Sequence, residues 1–330
     1  MKKAVFKKIF SKRAFLILLV LGVTIPLVFF PDRYVKSVFG GMELFALSVL
    51  PALFPFFFFS QILSELNFGY DIGLVLKRPL RALFKAPPVA GYILAMSMLC
   101  GYPIGARLLS DYYERGLIDG EQVKRISSFT STSGPLFIVG TVGVGMLGDK
   151  TAGYVVLLSH YLSAVINGVL YGLLLGRKKK AEAELVPPLI DYGSVLKKSM
   201  TSAVSSVAAV GGYVAVFNMV ADLLSDVGLI GALATGLTYF GLPLRLGQGV
   251  CASMIEVTKG CLIFSSSGFS YSVIEPLIAL AVTFGGLSVT MQSLTYLSKC
   301  RVRAPYYLLT KTTQATFAFG VCKLLCLLFF

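Results

Sequence analysis

The chain has 330 residues, of which 56% are hydrophobic and only 14% are charged, and its formal net charge is +14. Soluble domains average about 25% charged residues, so this composition excludes an ordinary soluble domain. It predicts an all-α, polytopic helical membrane protein. The positive charge does not indicate a nucleic-acid partner, because the basic residues flank apolar segments and form no separate basic domain.

The distribution of lysine and arginine predicts which segments face the cytoplasm. Most of these residues lie in five segments, which the positive-inside rule places inside the cell: 1–13, 65–88, 107–128, 177–198 and 299–311. The first apolar segment, 14–30, ends without a small-residue cleavage site, so it is predicted to be an uncleaved helix. The protein is therefore predicted to lie in the lipid bilayer of the cell membrane, multi-pass, with a cytoplasmic N terminus.

The first half of the membrane region is predicted to contain a re-entrant hairpin. A span at about 42–63 is followed by 74–84, whose alternating leucines and basic residues are typical of an interfacial helix. If segment 89–109 crossed the membrane completely, two basic segments would face outward. A hairpin turning at Gly101-Tyr102-Pro103 keeps both inside and is the favoured interpretation. Spans at 129–147 and 152–176 complete this half.

The second half is predicted to repeat this plan in the opposite orientation. A span at 200–224 precedes 229–264, which is read as a hairpin broken at 241–247, and further spans follow at 272–297 and 306–330. This order predicts an inverted repeat, which is common in secondary transporters. An alignment of 101–118 with 286–303 instead makes Phe284-Gly285-Gly286 a hairpin tip, and both alternatives stay open. The predicted regions are 1–41, 42–176, a cytoplasmic linker at 177–199, and 200–330.

The sequence carries no recognisable catalytic or metal-binding set. His160 is the sole histidine, and phosphate-binding loops and zinc-protease motifs are absent. The six cysteines are scattered, and even Cys322 and Cys326, one helical turn apart, are predicted to pack as small apolar groups. No enzyme activity, cofactor or metal is predicted.

Polar groups inside apolar segments are candidate solute ligands, because they are costly there. Broken helices also need surrounding protein or a wet cavity to satisfy their backbone. Glu256 and Lys259 stand on one predicted helix face, either beside a solute path or solvated at the interface. Arg107 either holds a solute or anchors the hairpin, and His160 is either a proton relay or a core histidine. The candidate solute-binding residues are Gly101, Tyr102, Pro103, Arg107, Thr132, Ser133, Pro135, Glu256, Lys259 and Gln292.

Hydroxyl groups precede the second interruption of the first half. Thr132 and Ser133 stand directly before Gly134-Pro135. They are interpreted either as part of a polar solute cage or as partners for the backbone groups that the interruption frees.

Five short motifs resemble the YlbJ-type sporulation integral membrane proteins. They are PALFPFF at 51–57, GYPIGA at 101–106, TSGPLF at 132–137, EVTKG at 256–260 and FGGLSV at 284–289, the last followed by Gln292. This family carries the nucleoside recognition or Gate domain, shared with concentrative nucleoside transporters and ferrous iron transporters of the FeoB type. The resemblance spans about 42–315 and implies a cell-membrane protein of a spore-forming bacterium that acts in cortex assembly.

Together, the broken helices and the resemblance predict a permease for a small polar solute, nucleoside-like or another metabolite. The alternative is a membrane scaffold for spore-envelope morphogenesis that transports nothing. A homo-oligomer, or an assembly with other sporulation membrane proteins, is compatible with either function.

Overall fold

The computed structural model describes residues 12–175 and 189–329, and these ranges contain helices and turns without a β-strand. Within them, three segments are long and apolar enough to span a bilayer: Lys150–Leu175, Val195–Asp226 and Tyr271–Cys300. The prediction of a helical membrane protein is confirmed. The basic segment 1–11 and most of the linker 177–199 lie outside the described residues.

The α-helices of the described residues are numbered in chain order. In the first half they are α1 (Lys12–Phe29), α2 (Pro31–Leu44), α3 (Leu50–Glu65), α4 (Phe68–Val75), α5 (Lys77–Phe84), α6 (Val89–Cys100), α7 (Ile104–Glu114), α8 (Gly120–Ser127) and α9 (Lys150–Leu175). In the second half they are α10 (Val195–Asp226), α11 (Leu229–Thr238), α12 (Leu244–Ile255), α13 (Val257–Ser265), α14 (Tyr271–Phe284), α15 (Gly286–Leu297) and α16 (Ala304–Phe329). Two π-helices, Phe45–Val49 and Leu136–Leu147, and a 3₁₀ turn, Ser298–Cys300, complete the set.

Helices α2 and α3 pack antiparallel along α10, and we call these three helices the scaffold. At one end Arg33 forms an ion pair with Asp226, and further along Asn218 Nδ2 donates to the carbonyl oxygen of Ser37 at 2.7 Å. The predicted span at 42–63 was too short at its start. Its helix begins at Pro31, because proline fits the first helical position, where no N–H partner is needed.

Helices α6 and α7 form hairpin 1, which turns at Gly101-Tyr102-Pro103. The two arms lie side by side: at the open end, the ring centroid of Tyr92 on α6 is 5.9 Å from that of Tyr112 on α7. Arg107 on the second arm donates to Ser202 Oγ at 3.2 Å, near the start of α10. The predicted turn at 101–103 between two paired arms is therefore confirmed, and its entry from the cytoplasmic side stays a prediction.

Helices α12 and α13 form hairpin 2, whose tip is Glu256. Its arms pack closely because Gly260 lies directly against Ser253. The predicted break of 229–264 at 241–247 is present, but the prediction missed a second turn at Glu256 and was wrong to put Glu256 and Lys259 on one helix face. Segment 241–247 contains the end of the turn between α11 and α12 and the start of α12. Glu256 has an extended backbone (φ −138°, ψ 117°) and precedes α13.

Each half also contains one interrupted helix and one long helix. Interrupted helix 1 consists of α8, a non-helical segment at 128–135 and the π-helix Leu136–Leu147. Interrupted helix 2 consists of α14 and α15, which break at Gly285 and Gly286 with φ of +82° and +67°. Since Tyr271–Cys300 qualifies as one span, residues 284–286 are an interruption and not a hairpin tip. The long helices α9 and α16 follow.

The two halves are inverted relative to each other. Both have a scaffold helix, a hairpin, an interrupted helix and a long helix in the same order. Hairpin 1 contacts α10 through Ser202, near the start of that helix. Hairpin 2 contacts it through Asp222, near its end, where Lys259 Nζ lies 2.5 Å from the carboxylate. The hairpins therefore approach from opposite ends, as the predicted inverted repeat requires.

Candidate functional site

A cavity of about 60 Å³ lies where both hairpin tips and both helix interruptions face the scaffold. By the volume that one buried water occupies, it holds on the order of four water molecules. Its scaffold wall is apolar and consists of Val49, Leu53, Phe57, Val210 and Val214. The opposite wall carries the polar side chains of Tyr102, Ser133, Glu256, Thr258, Ser288 and Gln292. We call this space the central cavity.

The structure brings together half of the predicted solute-binding residues. The residues of that set that line the central cavity are Gly101, Tyr102, Ser133, Glu256 and Gln292. The others, which do not line it, are Pro103, Arg107, Thr132, Pro135 and Lys259. These five residues lie close in sequence to a hairpin tip or a helix interruption, but their side chains contact other parts of the protein.

Thr132 holds interrupted helix 1 against hairpin 1. Its hydroxyl lies 2.8 Å from Ser97 Oγ, and its backbone N–H donates to the same oxygen at 3.3 Å. Ser97 Oγ also donates to the carbonyl oxygen of Thr130. Ser97 therefore satisfies the backbone groups that the interruption frees, and the Thr132 hydroxyl bonds to that serine and does not line the central cavity.

The two basic members of the predicted set lie away from the central cavity. Arg107 lines a second cavity of about 240 Å³ between α3 and hairpin 1, together with Asp111 and Glu65. Lys259 pairs with Asp222 on the scaffold. Each residue thus connects a hairpin arm to α10: Arg107 bonds to Ser202, and Lys259 pairs with Asp222.

Glu256 gives the central cavity its charge. The side chain is buried, and one carboxylate oxygen accepts from the backbone N–H of Lys259 at 2.8 Å, which caps α13. The other oxygen accepts from Thr258 Oγ1 at 3.1 Å. No lysine, arginine or histidine lines the cavity within the described residues. An anionic solute is therefore disfavoured there, whereas a hydrogen-bond donor finds a strong acceptor.

Tyr102 connects the tip of hairpin 1 to interrupted helix 2. Its hydroxyl lies 3.3 Å from the carbonyl oxygen of Val282 and 3.2 Å from that of Thr283. These carbonyls stand in the last turn of α14, where the interruption removes their helical partners. The tyrosine therefore supplies a donor to backbone groups that lipid cannot solvate.

His160 on α9 joins the two interruptions. Its Nε2 accepts from the backbone N–H of Ser133 at 2.9 Å, and its Nδ1 lies 2.7 Å from Thr283 Oγ1. Because Nε2 is an acceptor, the hydrogen-bond network assigns the ring proton to Nδ1, which donates to the threonine. Of the two predicted roles, this geometry fits the core histidine.

Lys311 is a central residue that sequence reasoning missed. It was counted in the basic cytoplasmic segment 299–311, yet it lies inside α16 with only 1% of its surface exposed. Its Nζ donates to the carbonyl oxygen of Ser131 at 2.8 Å, to Tyr102 Oη at 3.1 Å and to Gln314 Oε1 at 3.1 Å. A buried amine thus ties hairpin 1 to interrupted helix 1. The signal in the sequence was the polar run 310–314 within an apolar helix.

The architecture is that of known membrane transporters. The chain superposes with a TM-score of 0.56 on a CNTnw variant in an outward-facing state, at 16% identity, covering 96% of this chain and 88% of that one. A CNTnw variant in the intermediate 3 state gives the same TM-score at 15% identity, covering 97% and 88%. At this identity the likeness shows the fold alone.

Sequence comparison points to a sporulation protein. No family model matches the chain. The chain is 29% identical over 301 residues to the sporulation integral membrane protein YlbJ of Bacillus subtilis (strain 168), covering 84% of this chain and 74% of that protein. This similarity supports the assignment of the chain to the YlbJ-type sporulation integral membrane proteins, the family that its motifs predict.

Proposed function

We propose that the protein is a permease that moves a small polar solute across the membrane during spore formation. The observation that carries the proposal is the convergence of two hairpin tips and two helix interruptions on one cavity against an apolar scaffold wall. Secondary transporters bind solutes at such interruptions, because half-helix ends offer unpaired backbone donors and acceptors. The name of the Bacillus subtilis relative supports a role in sporulation, and we place that role in cortex assembly.

The chemistry of the cavity narrows the class of solute. Glu256 and Gln292 offer hydrogen-bond acceptors, while Val210 and Val214 offer an apolar surface. A neutral or cationic solute with hydroxyl or amino donors and an apolar face fits this combination, and a nucleoside has these properties. A phosphorylated solute does not fit, because no basic side chain lines the cavity among the described residues.

Transport in this proposal requires movement of the hairpins relative to the scaffold. The cavity of about 60 Å³ is too small for a solute of nucleoside size. Since the two hairpins approach α10 from opposite ends, withdrawal of one tip or the other would open the cavity to opposite sides of the membrane. This is the geometry of alternating access.

The proposal is tested by complementation in a spore-forming host that lacks its own copy of the protein. We expect Glu256→Gln and Gln292→Leu to abolish the rescue of sporulation while the protein still accumulates in the membrane. Arg115→Ala is the matched control, because it removes an exposed basic side chain directly after the second arm of hairpin 1 and outside the central cavity, and we expect it to rescue. Purified protein is then screened for binding to nucleosides, amines and sugar phosphates.

A different outcome would favour the alternative function, a membrane protein that organises spore-envelope assembly and transports nothing. In that case Glu256→Gln and Gln292→Leu rescue fully, whereas neutralising the basic residues Lys197 and Lys198 at the start of α10 abolishes rescue. That pattern would overturn the permease proposal.

A further inference from the structure

Two cysteines and one glutamate meet away from the central cavity, where the start of α14 lies beside the end of α16. Glu275 belongs to α14, and Cys322 and Cys326 belong to α16. One ligand atom of each residue lies within 4.8 Å of the other two, and all three residues are buried. The cysteines are four residues apart in a helix and therefore share one face.

Glu275 lacks the partners that a buried carboxylate needs. The residue has 0% of its surface exposed. Cys326 Sγ lies 3.3 Å from one carboxylate oxygen, but the other oxygen, Oε1, has no hydrogen-bond partner. None of the ion pairs between described residues includes Glu275. An uncompensated carboxylate is costly in an apolar interior, which indicates that a cation belongs beside it.

We propose that Glu275, Cys322 and Cys326 bind a thiophilic divalent cation of the zinc type. Zinc–sulfur bonds of about 2.3 Å and zinc–oxygen bonds of about 2.0 Å place the sulfur and oxygen of a tetrahedral site about 3.5 Å apart. The distance from Cys326 Sγ to Glu275 Oε2 is 3.3 Å, close to this value. Thiolates favour zinc over magnesium or calcium.

Metal binding at this site exchanges protons for the cation. Each thiol loses its proton to solvent as its sulfur bonds to the metal, and Glu275 binds as the carboxylate, so its carboxylic acid form releases a proton as well. Three protein ligands leave one tetrahedral position for water. The bound metal joins the start of α14, part of interrupted helix 2, to the end of the long helix α16.

The test is cobalt binding by the purified full-length protein after its metal has been removed with a chelator. We expect one Co²⁺ per chain and a thiolate-to-cobalt charge-transfer band. The double variant Cys322→Ser/Cys326→Ser loses the band, and Glu275→Gln weakens binding at least tenfold. Cys300→Ser is the control, because this buried cysteine lies outside the cluster, and it keeps the band.

A second measurement needs no variant and stays decisive if the serine substitutions prevent folding. X-ray absorption of the zinc-loaded wild-type protein should show two sulfur ligands per metal, and zinc should raise its Tm. The proposal is overturned if the wild-type protein gives no charge-transfer band. It is equally overturned if the double variant keeps the band or if zinc shows only oxygen and nitrogen ligands.

Discussion

Lys311 Nζ lies 2.8 Å from the carbonyl oxygen of Ser131, so a buried amine holds the non-helical part of interrupted helix 1. The same group donates to Tyr102 Oη at the tip of hairpin 1. One side chain of α16 therefore sets the position of two elements of the central cavity. Its loss would leave several buried groups without a partner, which makes this residue the first target for mutation.

We expect Lys311→Met to destabilise the protein by about 2 kcal/mol, because it keeps the apolar stem but leaves a buried carbonyl and a buried hydroxyl without their partner. Thermal unfolding of the purified protein in detergent measures the change. Lys323→Met on the same helix is the control, since Lys323 is exposed, and its Tm should stay near that of the wild type. Equal Tm values for all three proteins would contradict the role of Lys311.

His160→Leu removes the link between the two interruptions. It leaves the N–H of Ser133 and the hydroxyl of Thr283 without partners, so we expect a loss of about 1–3 kcal/mol in the free energy of unfolding. Chemical denaturation followed by circular dichroism measures it. The control is Leu162→Ala on the exposed face of the same helix. If Leu162→Ala lowers the free energy of unfolding as much as His160→Leu does, the hydrogen bonds of His160 do not stabilise the protein specifically.

Gly105→Ala tests how closely hairpin 1 approaches interrupted helix 1. An added methyl group would overlap the carbonyl oxygen of Thr130, so we expect a loss of 3 kcal/mol or more, on the order of a severe overpacking. Gly212 is also helical but has open space around it. Its change to alanine should stabilise by about 0.5–1 kcal/mol. Unfolding midpoints that move in the same direction for both variants would refute the close approach.

A double-mutant cycle tests whether Lys259 anchors hairpin 2 to the scaffold. The Lys259 and Asp222 side chains are 19% and 34% exposed, so Lys259→Met and Asp222→Asn should show a coupling energy of about 0.5–1 kcal/mol. The Arg33–Asp226 pair, whose arginine is 64% exposed, should couple less. A coupling of zero between Lys259 and Asp222 would show that the contact does not hold the hairpin.

Sequence patterns predicted those parts of the site where proline and glycine interrupt an apolar segment. Gly101-Tyr102-Pro103 and Ser133-Gly134-Pro135 could be located because these residues break helices visibly. The tip at Glu256 was missed as a turn, since Ile255-Glu256-Val257 contains no helix breaker. The signal was the glycines on the arms, such as Gly260, which permit close packing but do not show where the chain turns.

The position of Lys311 could not be inferred from the distribution of charge. The positive-inside rule counts basic residues over whole segments, so a lysine about two turns inside a helix is counted with the loop before it. The contacts of His160 with Ser133 and Thr283 join residues 27 and 123 positions apart in the chain. Such contacts depend on how the interrupted helices pack, which local sequence patterns do not specify.

The central claim is that α10 presents its Val210 face to a water-filled cavity. The direct test compares the labelling of Val210→Cys and Val216→Cys by a small, water-soluble thiol reagent in membranes. Both residues lie on the same helix, but Val210 lines the cavity, whereas Val216 is 49% exposed on its surface. Thiol reagents attack the thiolate, which forms in water and not in lipid. We predict that the Val210→Cys protein is labelled well above the wild-type background and the Val216→Cys protein is not; equal labelling of the two would contradict the account.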